Sequence, residues 1–329
     1  MILVTGSSGF IGSSIAEKFQ NKGLIGLDIN PSYSLKNHEI KADITDRNFI
    51  EKLKEKLKIV SEIDSIVHTA ALISSSYCYT HPDEAFRVNF IGTLNLLEFA
   101  RKYDVSRFIY ISSGGIYGKT DPGEIIDERK LPDPQDVYST TKLISEIALK
   151  EYSKSYSITA ASLRITAPYG PRMNGSKFPF QIPDGINRHP LIFAIKCVLS
   201  QDIIMPVGGE HTINYTYIDD IVDAVALSLE ASFKGFEVFN IAGGRNYSIS
   251  ELGEAVKDLC PKLKVSIGPG DLTKGYDEND PMLSKLSIKQ GLFDISKAER
   301  ILGFKPKYSL KDGMKELILY IRKQMPVKD

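Results

Sequence analysis

The chain has 329 residues, of which 42% are hydrophobic, and 41 lysines and arginines balance 41 aspartates and glutamates. Such a composition indicates a globular protein with a substantial core and excludes an overall field that attracts nucleic acid or an anionic membrane. No apolar run reaches the roughly 18 residues of a membrane span. Because the chain starts in a strand pattern rather than a signal peptide, we expect a cytoplasmic protein with neither a nucleic-acid nor a membrane partner.

The first half of the chain alternates short β-rich runs with longer helical patterns. The predicted strands are Ile2–Thr5, Leu24–Asp28, Ser65–His68, Arg107–Ile111 and Thr159–Arg164. The predicted helices are Ile11–Gln20, Phe49–Leu57, Ala85–Arg101 and Ser139–Tyr156. This alternation is typical of a parallel sheet with crossover helices on both faces. We therefore predict an α/β fold, a Rossmann-type doubly wound parallel sheet with a smaller C-terminal substrate-binding domain.

The regular alternation ends after Arg164, where turn residues and prolines indicate the start of a substrate-binding extension. The chain is predicted to return to the sheet at Asn214–Ile218 and Phe236–Ile241. Three helices follow at Ser250–Leu259, Ser296–Leu302 and Leu310–Arg322, the last opening with a capping box from Ser309 to Asp312. The predicted domains are 1–165 with a returning segment at about 214–242, and 166–213 with 243–329.

Three cysteines, Cys78, Cys197 and Cys260, are widely spaced and form no CxxC pair. The pattern indicates neither a disulfide framework nor a zinc site, so we expect free thiols and no metal. Cys78 lies in a loop that we place near the substrate, but no His or Lys motif activates it, so inert burial is favoured over reactivity.

A glycine-rich segment follows the first predicted strand and opens the first helix. Gly6, Gly9 and Gly12 have the spacing that allows a tight turn, backbone approach to a pyrophosphate and close packing of helix on sheet. The second strand ends at Asp28, whose carboxylate can bind both ribose hydroxyls and repels the 2′-phosphate of NADP. The sequence therefore predicts a dinucleotide site that takes NAD.

A third strand-like segment ends near Asp43, in the run Ala-Asp-Ile-Thr-Asp. Asp43 is predicted to accept a hydrogen bond from the adenine amino group. The alternative is that it caps the next helix, a role that Asp46 fits better.

Tyr138 and Lys142 lie at positions i and i+4 of a predicted helix, so their side chains share one face. A lysine and a positive nicotinamide ring would stabilise the tyrosine phenolate, which could then accept a hydroxyl proton while hydride leaves to NAD. A Tyr-Lys pair alone is more often a solvated helix face. Ser113, at the carboxyl end of the Arg107–Ile111 strand, favours the catalytic interpretation because doubly wound sheets place their ligands there.

Together these motifs resemble the extended short-chain dehydrogenase/reductase superfamily, in particular its NAD-dependent epimerase/dehydratase group. The resemblance covers nearly the whole chain. It rests on Thr5–Gly12, Asp28, Ala42–Asp46, His68–Leu72, Val88–Thr93, Ser112–Gly118, Tyr138–Lys142, Leu163–Arg164, Tyr169–Arg172 and Tyr217–Asp220. The resemblance implies that Ser113, with Ser112 as the alternative, is the catalytic serine, and that Lys142 also holds the nicotinamide ribose.

The predicted site is thus divided into three sets. The catalytic set is Ser113, Tyr138 and Lys142. The set predicted at the cofactor is Gly6, Ser8, Gly9, Phe10, Ile11, Gly12, Asp28, Ile29, Asp43, Ile44, Ala70, Ala71, Leu72, Asn89, Ser112, Tyr138, Lys142 and Pro168. The set predicted at the substrate is Ser74, Ser75, Ser113, Gly114, Arg172, Lys177 and Arg188, for which an ordinary polar loop or solvated surface charges are the alternatives.

Three features of the sequence depart from the family pattern. Gly114 and Gly115 stand where sugar-nucleotide dehydratases carry an Asp-Glu pair, which argues against dehydration. Ala167 replaces an asparagine that contacts substrate, and Ile213 replaces an arginine that grips a diphosphate. The two losses weaken the nucleotide-sugar interpretation.

The leading hypothesis is an NAD-dependent sugar-modifying enzyme that epimerises a nucleotide-linked sugar by transient hydride transfer. The alternatives are an NAD-dependent dehydrogenase of a free sugar, sugar acid or polyol and, more remotely, a non-catalytic NAD sensor. The resemblance also implies a homodimer formed through the Ala85–Arg101 and Ser139–Tyr156 helices.

Overall fold

The computed structural model describes residues 1–31, 38–56, 62–121, 123–173, 188–270, 272 and 291–324. Within these residues, seven parallel strands form one sheet. They are β1 (Ile2–Thr5), β2 (Leu24–Asp28), β3 (Glu39–Lys41), β4 (Ser65–His68), β5 (Arg107–Ser113), β6 (Thr159–Ile165) and β7 (Phe236–Ile241).

The strands are arranged in the order β7-β6-β5-β4-β1-β2-β3. The order reverses between β1 and β4, which is the switch point of a doubly wound sheet. This arrangement confirms the predicted Rossmann-type fold, and it includes β3, which precedes Asp43.

Helices cover both faces of this sheet. They are α1 (Phe10–Phe19), α2 (Phe49–Lys56), α3 (Ser75–Thr80), α4 (Pro82–Phe86), α5 (Gly92–Lys102), α6 (Val137–Tyr156), α7 (His189–Val198), α8 (Ile218–Glu230), α9 (Ile249–Leu259), α10 (Ser296–Leu302) and α11 (Leu310–Gln324). Adjacent strand residues point to opposite faces, so Val4 packs in the core beneath α1 and α8 while Leu3 packs in the core beneath α2, α5 and α6.

The C-terminal part extends the core beneath α1 and α8. Buried residues of α7, α9 and α11, among them Phe193, Leu252 and Leu317, belong to the same apolar cluster as Val4 of the sheet. Short paired strands join the connecting segments. They are Thr212–Ile213 with Tyr247–Ser248, Pro168–Tyr169 with Thr216–Tyr217, Ile203–Met205 with Val265–Ile267, and Ile125–Ile126 with Leu292–Phe293.

The predicted return of Asn214–Ile218 to the main sheet is wrong. Thr216 and Tyr217 pair with Pro168 and Tyr169 outside that sheet, and Ile218 already begins α8. Tertiary packing sets this outcome, since α8 lies against α1 and fills the face of the sheet. The second predicted return is confirmed, because β7 pairs with β6 along its whole length.

Two further local predictions differ from the structure. The helix predicted over Ala85–Arg101 is interrupted by a π-helical turn at Arg87–Ile91, and Ser74 caps a short helix, α3, where a loop was expected. The capping box of α11 is confirmed, because the Ser309 side chain accepts from the Asp312 backbone and Asp312 accepts from the Ser309 backbone.

Cys197 and Cys260 are joined by a disulfide, with their Cα atoms 6.2 Å apart, so the expectation of three free thiols is wrong for this pair. The residues are 63 positions apart in the sequence, and the packing of α7 against α9 brings them together. Cys78 remains free and is buried in α3. In the described part of the chain, no helix is long and apolar enough to cross a membrane.

The disulfide predicts a thiol count and a stability effect. Unreduced protein in denaturant should show one titratable thiol, from Cys78, and reduced protein should show three. Because the bond closes a loop of 63 residues, Cys197→Ser should lower the free energy of unfolding by up to about 4 kcal/mol. Reduction of the parent should reproduce that loss, measured by urea unfolding. Three titratable thiols without reductant would contradict the assignment.

Candidate functional site

The candidate site lies at the switch point, where the segment after β1 meets the segment after β4. Thr69 donates its hydroxyl to the Thr5 carbonyl at 2.7 Å. A Cβ atom on Gly6 would lie 2.7 Å from the backbone nitrogen of Ala70. The two segments are therefore in backbone contact, and a crevice opens beyond the carboxyl ends of their strands.

Glycines form a cradle at the start of α1. Gly6 has φ +68°, a left-handed conformation, and a Cβ on Gly12 would lie 2.0 Å from the Gly6 carbonyl oxygen. Gly9, the N-cap of α1, provides no side chain to the first helical amides, so these N–H groups are available to an anion. The cradle therefore fits a pyrophosphate, as the glycine spacing predicts.

Asp28 ends β2 beside this cradle. One carboxylate oxygen accepts from the Ser8 backbone nitrogen at 3.1 Å, and the other accepts from Asn30 at 2.8 Å. The carboxylate thus stands at the edge of the glycine-rich loop, where the ribose of a dinucleotide would reach it.

Sequence reasoning missed Glu39, which lies next to the same loop. Its carboxylate accepts hydrogen bonds from the hydroxyls of Ser7 at 3.1 Å and Ser8 at 3.0 Å. The only signal in the sequence is an acidic residue within a short β-rich run, which is too weak to assign a role.

The segment after β3 carries Asp43 and Ile44. Asp43 accepts from the Thr45 backbone at 2.8 Å, and Asp46 accepts from the Asn48 backbone just before α2. Asp46 lies three residues before the first residue of α2, so its side chain closes a turn ahead of the helix and does not cap it. The contact of Asp43 with adenine stays a prediction. The Ile44 side chain is buried against Gly92 of α5.

Asn89, in the π-helical turn, is buried and uses its whole amide within the protein. Its oxygen accepts from the Leu72 nitrogen at 2.7 Å, and its nitrogen donates to the Leu72 carbonyl at 3.0 Å and to Thr141 at 2.9 Å. Asn89 therefore positions the segment after β4 against α6, which carries Tyr138 and Lys142. Both amide hydrogens are used, so a direct side-chain contact with the cofactor would have to be made by the second lone pair of the amide oxygen.

Ser113 ends β5 and caps the 3-10 turn Gly114–Tyr117, where its hydroxyl accepts from the Gly115 nitrogen at 3.0 Å. The same hydroxyl lies close enough to the Tyr138 phenol to favour its ionised form. The Ser112 hydroxyl is buried and has no hydrogen-bond partner among the described residues. The structure thus joins Ser113, rather than Ser112, to the predicted tyrosine.

Burial raises the pKa of Tyr138, and the nearby Ser113 hydroxyl opposes this rise only in part. The expectation that Lys142 lowers this pKa is not met in the protein alone. The Lys142 ammonium donates to the Ile111 carbonyl at 2.8 Å and lies 5.9 Å from the centre of the Tyr138 ring. The stabilisation of the phenolate by an oxidised nicotinamide stays a prediction.

Lys142 is 3% exposed, and burial lowers its pKa to about 7, while the charge of Glu146 opposes the fall. Glu146 pairs with Arg164 at 2.7 Å inside the protein. His68, which hydrogen-bonds Thr5 and Thr93, has its pKa lowered to about 3 by burial, with a smaller effect from Lys142. Lys142 is therefore surrounded by groups that the sequence motifs alone did not identify.

The residues predicted at the substrate lie in different surroundings, and one of them is outside the described part of the chain. Ser74 is exposed at the start of α3, and Ser75 follows it. Arg172 pairs with Glu17 of α1 at 2.5 Å. Arg188 is partly buried before α7, burial lowers its pKa, and no carboxylate in the described ranges pairs with it. Lys177 lies outside the described residues.

Gly114 is buried beneath the C-terminal segment. A Cβ on Gly114 would lie 2.9 Å from the Phe293 ring and 3.1 Å from the Thr166 methyl group. A larger residue at this position would require both neighbours to move.

Comparisons with known proteins agree with this geometry. The model of the NAD dependent epimerase/dehydratase family matches residues 2–242. A putative UDP-glucose 4-epimerase of Methanocaldococcus jannaschii is 32% identical, with 98% of each chain covered. The structure of a Thermotoga maritima UDP-glucose 4-epimerase with UDP-glucose is 28% identical, with 98% of each chain covered and a TM-score of 0.79. A Thermus thermophilus UDP-glucose 4-epimerase complex with NAD is 26% identical, with 98% of each chain covered and a TM-score of 0.78.

The burial of Lys142 predicts a pH-dependent stability cost. Its native pKa is about 7, and a lysine in the unfolded chain titrates near 10.4, so the unfolded state binds more protons between these values. The cost is therefore full below pH 7 and is relieved as the pH rises. Lys142→Met in the cofactor-free protein should raise the unfolding temperature more at pH 6 than at pH 9.

The matched control is Lys150→Met, which changes an exposed lysine of the same helix. It should leave the unfolding temperature unchanged within a degree or two at both pH values. A gain for Lys142→Met that is equal at the two pH values would contradict the burial of a titrating lysine.

Proposed function

The chain belongs to the NAD-dependent epimerase/dehydratase family, and on that premise we propose that it epimerises a nucleotide-linked sugar by transient hydride transfer. The observation that carries the proposal is the convergence of three side chains beyond β5: Ser113 ends that strand and acts on the pKa of Tyr138, and the Lys142 ammonium lies 5.9 Å from the centre of the Tyr138 ring. These groups and the glycine cradle lie at the same carboxyl edge of the sheet, with β4 between their strands, so a dinucleotide that spans this edge would bring a hydride acceptor to the base.

The residues of the cradle fit the family's cofactor. The α1 amides would bind the pyrophosphate, Asp28 the adenosine ribose, and Lys142 the nicotinamide ribose. When bound, NAD supplies the acceptor and later the donor of a hydride.

The transfer of the sugar hydroxyl proton is assigned to the protein's own residues. Ser113 would orient a sugar hydroxyl toward Tyr138, which accepts its proton as the hydroxyl carbon is oxidised. Lys142 would stabilise the Tyr138 phenolate that accepts this proton. Return of the proton from Tyr138 after the ketone has presented its other face completes the inversion, so no net oxidant is consumed.

Epimerisation is favoured over dehydration by the packing of the turn after β5. Dehydratases of the family need an acid and a base after the catalytic serine or threonine, and here Gly114 is packed against Phe293 and Thr166. Gly115 is exposed but equally lacks a proton-transferring side chain. Neither position can supply the proton transfers that eliminate water.

A uridine diphosphate sugar is the proposed substrate class, since relatives with this specificity cover nearly the whole chain. Ile213 is fully buried and cannot hold a diphosphate. Arg188 is the best remaining cationic anchor, because it is partly buried and has no carboxylate partner in the described ranges.

The loss of polar side chains at Ala167 and Ile213 favours one alternative, the net oxidation of an unactivated sugar.

One assay separates the two functions. If the protein is an epimerase, purified protein incubated with UDP-glucose and no added cofactor should form the 4-epimer, detected by chromatography. Stoichiometric NADH from added NAD and a free sugar, without epimer, would instead establish the dehydrogenase.

We also propose that residues 1–165 with about 214–242 form the cofactor domain and that 166–213 with 243–329 form the substrate domain. The pairing of β7 with β6 and the packing of α8 on α1 support the returning segment.

We infer a cytoplasmic location because NAD and nucleotide sugars are intracellular metabolites.

Tyr138→Phe should lower the epimerisation rate by about 10²–10⁴-fold, because the ring remains and the proton acceptor is lost. NAD affinity should change less than threefold, measured by calorimetry. Tyr156→Phe is the matched control, since Tyr156 is exposed at the end of the same helix, and it should keep full activity. Unchanged activity in Tyr138→Phe would overturn the assigned base.

We propose a homodimer through the faces of α4–α6, where Phe86, Ile91 and Ile147 are exposed. Light scattering should give twice the chain mass of 36.6 kDa. The double variant Ile91→Glu, Ile147→Glu should give a monomer, because burying two carboxylates at an apolar interface is unfavourable. Ile204→Glu, at an exposed isoleucine elsewhere, should remain dimeric. A monomeric parent protein would refute this interface.

A further inference from the structure

Glu39, the first residue of β3, is a buried carboxylate with an incomplete set of partners. It is 9% exposed, and one of its oxygens accepts from the hydroxyls of Ser7 and Ser8. The other oxygen is buried and has no hydrogen-bond partner in the part of the chain that the structure describes. In that part, no lysine or arginine pairs with Glu39 either.

The charge of this carboxylate is not needed for its two hydrogen bonds. A glutamine amide oxygen could accept from both serine hydroxyls without the cost of a buried charge. Holding the two serine hydroxyls therefore explains why an acceptor stands at position 39, but it does not explain why that acceptor carries a negative charge.

Two carboxylates meet at one residue of the glycine-rich loop. The Ser8 backbone nitrogen donates to Asp28 at 3.1 Å, and the Ser8 hydroxyl donates to Glu39 at 3.0 Å. The strand register also places them close together, since Glu39 is paired with Gly26, two residues before Asp28. Their charges therefore act on the same region, the adenosine side of the cradle.

We propose that Glu39 is a positioning and specificity residue for the dinucleotide. Through Ser7 and Ser8 it holds the loop in the conformation that presents the α1 amides to a pyrophosphate. Its charge reinforces that of Asp28 and disfavours the extra phosphate of NADP. The proposal rests on the NAD dependence of the family and not on the identity of the sugar.

The test separates the hydrogen bonds of Glu39 from its charge. Dissociation constants for NAD and NADP are measured by calorimetry, without sugar, for the parent protein, Glu39→Gln and Glu39→Leu. Glu39→Gln keeps an acceptor and should improve NADP affinity relative to NAD about tenfold, with less than threefold change for NAD. This gain should shrink in high salt, which screens the charge. Glu39→Leu should weaken NAD binding about tenfold, because both serine hydroxyls lose their acceptor.

Two controls keep the outcome clear. Glu55→Gln removes an exposed carboxylate of α2 and should leave both constants unchanged. The double variant Ser7→Ala, Ser8→Ala removes the two donors and should weaken NAD binding as Glu39→Leu does, while still disfavouring NADP. Thermal unfolding without nucleotide checks that each variant is folded.

An NADP-to-NAD affinity ratio in Glu39→Gln within twofold of the parent protein would overturn the specificity role. Unchanged NAD affinity in the double serine variant would overturn the positioning role, and this arm decides the proposal if Glu39→Gln does not fold. Because no sugar is present, these results are independent of whether the protein proves to be an epimerase or a dehydrogenase.

Discussion

The contact between the segment after β1 and the segment after β4 is the constraint on which the site depends. Gly6 must adopt a left-handed conformation there, and Gly12 must lie against its carbonyl oxygen, because any Cβ would enter occupied space. The strand order reverses at this contact, so the connections after β1 and β4 run to opposite sides of the sheet and leave a crevice between them. The uncapped amides of α1 therefore face a crevice, and anion binding follows from the topology of the sheet.

The reactive end of the site is built from groups that are unfavourable to bury. Lys142 is almost fully enclosed, and its charge is opposed by burial and supported by Glu146, whose own charge is balanced by Arg164. Such an arrangement lowers stability relative to an apolar core. It provides a dry environment in which a tyrosine proton can be exchanged and in which charge interactions are strong. The burial that makes Lys142 costly to fold is thus the same burial that strengthens its electrostatic effect on nearby groups.

The packing of Phe293 against the turn after β5 also limits which side chains can stand in that turn. Phe293 reaches the turn after β5 from a segment 179 positions further along the chain than Gly114, and its ring lies where a side chain at position 114 would stand. The same turn presents Ser113 to Tyr138. One face of this turn is therefore closed by Phe293 of the C-terminal part, while Ser113 stands at the start of the turn.

Sequence by itself determined the features that depend on near neighbours. Strand and helix periodicity located most elements of the sheet, glycine spacing located the cradle, and the i, i+4 relation of Tyr138 and Lys142 placed both on one helical face. Only the tertiary structure decided which distant residues meet. It kept Thr216–Tyr217 out of the main sheet, joined Cys197 to Cys260 and placed Glu39 against Ser7 and Ser8. These contacts arise from the packing of helices and strands far apart in the chain, and such packing leaves no pattern in the local sequence.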